Sequence, residues 1–342
     1  MLHGHGNDIY QYRKVIKADF SSNIAYGGTH HAVVEHIKQS VQLVRDYPEP
    51  DASSLCEAIA KREGVGVENI LVTNGSTEAF YLLAQLFKNG KSLIFSPSFA
   101  EYEDAATCHG HKINYQPSDT FPGELTERYD CIWLGNPNNP DGVVTDVDVI
   151  LNFCRTNPDV FLFLDEAYHA LCKGYVSPLS LGDIPNNLVV VRSLTKLFAL
   201  PGLRLGYIVA GEDFCNALRN IKMPWSVNAL AIEAGIFIMS RYEYFTPDVD
   251  ALLNESARFQ QQMAKIERIS VKPSNCNYFL AEEQRGTAGE LKKHLIEEHG
   301  FLIRDASNFR GLAPSHFRVA ALSPELNNQL VNAIKSWIQK TS

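Results

Sequence analysis

From about Ser54 to Cys215 the chain alternates short, nearly unbroken apolar runs with segments of helical period. "NILVTN", "SLIFS", "KINYQP", "CIWLGN", "VFLFLDE" and "NLVVVRS" read as strands. "STEAFYLLAQLF", with Ser76 as its N-cap, "FAEYEDAATCHG" and "DVDVILNFCRTN" read as helices between them. A strand apolar along its whole length needs cover on both faces, and helices between strands supply it. The fold expected is therefore α/β, with a mainly parallel sheet between helices.

The pattern changes after Trp225. "NALAIEAGIFIMSRYEYF" reads as one long helix. Strands are expected at "ISVKPSNCNYFLAEE", "FLIRDAS" and "HFRVAAL", with helices at "TAGELKKHLIEEHG" and "SPELNNQLVNAIKSWIQ". That is a compact α+β unit. We expect an N-terminal arm over 1–26, a large domain over 27–235 and a small domain over 236–342. A chain of 342 residues is long enough for this plan.

Composition narrows the function. The net charge of −8 argues against a nucleic-acid partner, which needs a basic face. A small phosphorylated ligand needs only a few local cations. No apolar run approaches the roughly 20 residues of a membrane helix. The N-terminus "MLHGHGNDIYQYRK" has no signal-peptide core. Seven cysteines without a CxxC pair read as reduced thiols of a cytoplasmic protein. Eleven scattered histidines show no metal-ligand spacing, so no metal site is expected.

Ligands of open α/β sheets sit outside the carboxyl ends of the strands. Five such ends carry polar groups. Asn74-Gly75-Ser76-Thr77 joins a glycine turn to a helix start, which offers free N–H groups to a phosphate; an ordinary turn with an N-cap reads equally well. Phe99 follows "SLIFS", as a core ring or a stacking platform. Asn136 to Gly142 is a dense turn displaying three amides. Asp165 and Tyr168 follow "VFLFL"; a carboxylate there is expected to be buried and to need a partner, and taken alone it reads as a helix N-cap or a structural ion pair. Ser193 and Lys196 follow "NLVVVR", with Arg204 eight residues on. A lone lysine usually snorkels to solvent, but a desolvated one suits Schiff-base chemistry. Taken together, these groups suit an aromatic aldehyde carrying a phosphate, a phenolic oxygen and a ring nitrogen. That molecule is pyridoxal 5'-phosphate.

With Asn139-Pro140 before Gly142, Asp165-x-x-Tyr168 and Ser193-x-x-Lys196 followed by Arg204, the chain resembles the fold-type I pyridoxal-phosphate enzymes, the aspartate aminotransferase superfamily. The resemblance implies that Lys196 carries the cofactor as an imine and Asp165 pairs with the pyridine nitrogen. Asn139 and Tyr168 would bond the phenolic oxygen, and Phe99 would stack on the ring. Gly75, Ser76, Thr77, Ser193 and Arg204 would hold the phosphate. Tyr47 would reach the cofactor phosphate of a neighbouring subunit in a homodimer. Arg318 would bind the substrate carboxylate. The family's usual Asn-Pro-Thr-Gly is here Asn139-Pro140-Asp141-Gly142, so the turn is expected to differ locally.

Within the superfamily the chain is similar to two families that handle phosphorylated amines, the threonine-phosphate decarboxylases and the histidinol-phosphate aminotransferases. "HGND", "DFSSNI", "PSFAEYEDA", "MPWSVNALA" and "LIRDASNFRGL" favour the decarboxylases. By this resemblance His5, Asn23, Arg304 and Arg318 contact substrate. The reaction implied is decarboxylation of L-threonine O-3-phosphate to (R)-1-amino-2-propanol O-2-phosphate, a cobalamin building block; the alternative is transamination. Asp8 stands where the decarboxylases have asparagine, and a carboxylate there would repel a substrate phosphate.

Overall fold

The computed structural model describes residues 6–12, 15–123, 125, 127–182 and 184–341. The six predicted strands and one more, Gly206–Val209, form one seven-stranded sheet. In chain order they are β1 (Ile70–Thr73), β2 (Lys91–Ser96), β3 (Lys112–Pro117), β4 (Cys131–Gly135), β5 (Phe161–Asp165), β6 (Leu188–Ser193) and β7 (Gly206–Val209). Their spatial order is β1-β7-β6-β5-β4-β2-β3. Strand β7 runs antiparallel to both its neighbours, while β6, β5, β4, β2 and β3 pair parallel.

Alternate residues of each strand feed two cores. Ile132 and Leu134 of β4, with Leu162 and Leu164 of β5, pack into one. Cys131, Trp133 and Phe163 pack into the other. This double burial is why the strands read as continuous apolar runs.

The small sheet is antiparallel, in the order β10-β11-β9-β8. It comprises β8 (Ile269–Val271), β9 (Tyr278–Glu283), β10 (Arg304–Asp305) and β11 (His316–Ala320). Phe279, Phe317 and Val319 pack on its helices through Phe259, Met263 and Ile334.

Three local expectations are corrected. Ser76 does not cap its helix, which spans Gly75–Leu86 with Asn74 at the N-cap and no side-chain cap bond. Gly75 turns the chain at φ +73, so the helix starts two residues earlier than expected and its first N–H groups have no intrahelical partner. The long helix after Trp225 breaks at Arg241 into Ala229–Ser240 and Tyr242–Phe245. "FLIRDAS" splits in two. Phe301–Leu302 pairs in parallel with Ala18–Asp19, while Arg304–Asp305 joins the small sheet. The N-terminal segment is thereby tied to the small sheet's neighbourhood. Helix Ala229–Ser240 runs across position 235, and Ile238, Phe245 and Leu252 join a core of the large sheet.

Asp165 and Glu166 are adjacent but serve different surroundings. Glu166 is fully buried and accepts from Tyr175 (2.7 Å), Ser177 (2.8 Å) and Arg192 Nε (2.9 Å). Arg192 also pairs with Glu63 at 2.6 Å, and Tyr207 donates to Glu63 at 2.7 Å. Removing one member of a buried ion pair strands its partner. Arg192→Leu is expected to lower stability by about 3–5 kcal/mol, read from the shift in urea midpoint.

Candidate active site

A cavity of ≈ 320 Å³ opens where the carboxyl ends of the large sheet meet the small sheet and the N-terminal segment. Thirteen of the residues singled out from sequence line it or border it, and each is placed by a distinct piece of local chemistry.

The end of β1 supplies one wall. Ser76 and Thr77, in the first turn of helix Gly75–Leu86, line the cavity with Arg204. The Arg204 guanidinium lies over Gly75, where a Cβ would come within 2.6 Å of it. A Cβ on Gly206 would meet the Ser76 nitrogen at 2.7 Å, so β7 also crosses close to the helix start. Glycine at 75 and 206 therefore lets an arginine and open N–H groups converge. That is an anion cradle. Ser193 caps the turn Leu194–Leu197 through the Thr195 N–H and shares a 2.8 Å hydrogen bond with the Thr195 hydroxyl. Ser193, Thr195 and Lys196 all line the cavity.

Asp165 ends β5 on the cavity floor. Its Oδ2 accepts from the Tyr102 hydroxyl at 2.6 Å and its Oδ1 from the Ala167 N–H at 2.9 Å. Burial pushes this carboxyl up to about 6, and the two donors and the Lys196 charge oppose that rise. Lys196 Nζ lies 5.6 Å from the centre of the Tyr168 ring. Phe99 lines the cavity and packs edge-on to Tyr102 at 6.0 Å.

The amides of the Asn136–Gly142 turn divide their work. Asn136 exchanges hydrogen bonds with Thr145 and thereby closes the loop. Asn138 donates to the Pro97 carbonyl and to Asp141. Asn139 alone of the three lines the cavity, where its Oδ1 accepts from Arg318. Asp141 is fully buried, accepts from Asn138 at 2.7 Å and pairs with Lys272 at 2.8 Å. The departure at 141 thus braces the turn from outside the cavity.

Arg304 and Arg318 face each other in register across β10 and β11. Both line the cavity and both are buried. Arg304 donates to the Asp305 carbonyl and to Asn308 (2.7 Å), and lies over Phe309. Arg318 donates to Asn139 and to the Ser21 carbonyl, and its buried Nε has no partner. Burial and the Arg318 charge lower Arg304 to about 10. Two buried cations side by side favour an anion between them. Asn23 lines the same region with both amide atoms buried and unpartnered.

His5 lies outside the described residues. Its neighbours Gly6 and Asn7 line the cavity. Asp8 does not line it: its Oδ2 pairs with Lys292 at 2.8 Å and accepts from Tyr12. The expected repulsion of a substrate phosphate is thus removed by a lysine from a helix of the small domain. Tyr47 stands apart from the cavity, 86% exposed, packed 5.5 Å from Trp225. Sequence reading missed Tyr102, Thr195, Ser21 and Asn308. Only Tyr102 carried a signal, one helical turn beyond Phe99.

The site thus combines a phosphate-type cradle, a buried carboxylate, a lysine and a paired-arginine pocket on the switch edge of an α/β sheet. Residues 15–334 match the model of the family "Aminotransferase class I and II". The chain belongs to that family. It is 32% identical to the threonine-phosphate decarboxylase of Salmonella typhimurium, over 97% of this chain and 96% of the relative. The crystal structure of L-threonine-O-3-phosphate decarboxylase from Porphyromonas gingivalis superposes with a TM-score of 0.91 at 38% identity, covering 94% of this chain and 99% of that one. A histidinol-phosphate aminotransferase of Caldanaerobacter subterraneus is 30% identical over 85% of this chain and 84% of its own.

The cofactor of this family is pyridoxal 5'-phosphate, and the residues fit it. The cradle at Gly75 and Arg204 suits its phosphate, and buried Asp165 lacks only a cationic partner from the cavity side.

Asp165 also sets a pH test. Its folded-state value is raised, so the folded chain holds the extra proton between about pH 4 and 6, and stability from this group is lost as pH rises through that window. In cofactor-free protein, Asp165→Asn should therefore be more stable than the parent above pH 6, by up to about 3 kcal/mol. The gap should close near pH 4. Urea midpoints across that range check it.

Proposed function

We propose that this chain is a pyridoxal-phosphate-dependent decarboxylase of L-threonine O-3-phosphate. Its product is (R)-1-amino-2-propanol O-2-phosphate, a building block for the cobalamin nucleotide loop. The observation that carries the reading is the in-register pair Arg304–Arg318, beside unpartnered Asn23, in the same cavity as the Gly75–Arg204 cradle. One anion site suits the cofactor phosphate. The second suits a small substrate that brings both a carboxylate and a phosphate. The similarity to decarboxylases over nearly the whole chain supports the same choice.

When bound, pyridoxal phosphate supplies an electron sink for the pair released as a bond at the substrate Cα breaks. Lys196 would hold the cofactor through its aldehyde, with its amine as the group that a substrate amine would replace. Asp165 keeps a proton on the ring nitrogen. Ser76, Thr77, Ser193 and Arg204 hold the cofactor phosphate, Asn139 and Tyr168 its phenolic oxygen, and Phe99 its ring face. Arg318 takes the substrate carboxylate through its unpaired Nε, and Arg304 with Asn23 and His5 takes the substrate phosphate. Arg318 and Arg304 would orient the substrate so that its carboxylate is the group lost from Cα as CO₂, and Lys196, which lines the same cavity, would supply the proton that takes its place.

We further propose a cytoplasmic homodimer in which Tyr47 completes the neighbouring site. Tyr47 is exposed beside Trp225, and Val41, Val44 and Met223 add exposed apolar surface to the same segments. The division into an arm, a large domain and a small domain at 26 and 235 remains our proposal, with the core of the large domain reaching beyond 235. Among the described residues no helix is long and apolar enough to cross a membrane.

The test is one incubation of cofactor-loaded protein with O-phospho-L-threonine. Sustained CO₂ release without added keto acid is expected, and Lys196→Ala should lower its rate by at least a thousandfold. Amino transfer from histidinol phosphate to 2-oxoglutarate, with no CO₂, would establish the aminotransferase instead.

A further inference from the structure

Tyr102 is the residue whose contacts go furthest beyond the assignments above. It sits three residues after Phe99, in the first turn of helix Glu101–Cys108, so one stretch of chain delivers both rings. The Tyr102 ring is buried between Phe80 (5.0 Å), Phe99 (6.0 Å) and Trp133 (5.8 Å). Its hydroxyl reaches past this apolar shell to one acceptor, Asp165 Oδ2, at 2.6 Å. Space for that oxygen is left by Gly135 at the end of β4, where a Cβ would stand 3.3 Å from it.

The two oxygens of Asp165 are thereby each given a donor from the protein, Tyr102 on one and the Ala167 N–H on the other. Of the two, the backbone donor cannot be varied by side-chain change. The hydroxyl can. A phenol proton donated to a carboxylate favours the charged carboxylate, because the hydrogen bond is stronger to the anion.

We propose that Tyr102 is a positioning residue for the cofactor's ring nitrogen: its hydroxyl keeps Asp165 ionised, so that the shared proton stays on the nitrogen and not on the carboxylate. This rests on the pyridoxal-phosphate reading above. Without the hydroxyl, Asp165 becomes the stronger base. The proton then moves from nitrogen to carboxylate oxygen, no atom leaves the site, and the ring loses the positive charge that draws electrons from the substrate. The physical setting agrees: burial raises Asp165, and the Tyr102 bond is the largest influence acting against that rise.

The test uses Tyr102→Phe, which keeps the ring and its packing. In the loaded enzyme, kcat for O-phospho-L-threonine should fall about tenfold or more while KM stays within about twofold, as expected when one charge-assisted hydrogen bond is lost. The dissociation constant for pyridoxal phosphate should rise about tenfold, and the pH dependence of the visible absorption band should shift. The same substitution in an Asp165→Asn background should change the dissociation constant by less than about twofold, because no charge remains to hold.

Two results would overturn the proposal: parental cofactor affinity and spectrum in Tyr102→Phe, or a full tenfold effect persisting in the Asp165→Asn background, which would assign Tyr102 to packing. A parent chain that takes up no pyridoxal phosphate would overturn the functional reading itself and this inference with it. The outcomes are therefore separable.

Discussion

The burial of one carboxylate organises this molecule. Asp165 is carried into the interior by β5, whose residues Leu162 to Leu164 pack into cores on both sides of the sheet. A charge placed there is costly unless donors and a counter-charge meet it. Tyr102 and the Ala167 N–H meet it from the protein side. Asp165, Phe99 and Lys196 all line the cavity, and Tyr102 joins Asp165 from behind it.

The next residue shows the contrast. Glu166 is buried as completely, but Arg192, Tyr175 and Ser177 satisfy it within the protein. It is a structural anchor. Two neighbouring acids are thus satisfied differently: Glu166 has its cation, Arg192, built in, while Asp165 is met by two neutral donors at the cavity wall. The arginine pair is the mirror case. Arg304 and Arg318 are two buried cations in register that line the cavity, and the partners they show are neutral oxygens: the Asp305 carbonyl and Asn308 for one, Asn139 and the Ser21 carbonyl for the other.

Much of this was legible in the chain. The double-sided apolar strands demanded a helix-covered sheet, and the polar groups after them are ones the structure gathers around one cavity. The error at Ser76 was local: a glycine turn started the helix two residues early and put Ser76 and Thr77 in its first turn, where they line the cavity. Asp8 and Asp141 looked like liabilities because their cations, Lys292 and Lys272, lie more than 100 residues away in sequence and no local pattern announces them. Tyr102 lay unremarked in the helix "FAEYEDAATCHG", since a buried tyrosine shows its hydroxyl's partner only once the sheet is assembled.

The sequence by itself determined six strands of the large sheet, the α/β class and a set of candidate residues that the structure gathers around one cavity, because periodicity and strand-end chemistry are local properties of the chain. Tertiary structure decided which charges are paired internally and which are left open to a ligand. It placed Arg304 opposite Arg318, seated Asn139 against Arg318, and brought Tyr102 to Asp165 across 63 residues. Those pairings depend on strand register and helix placement, and both are set only when the two cores form.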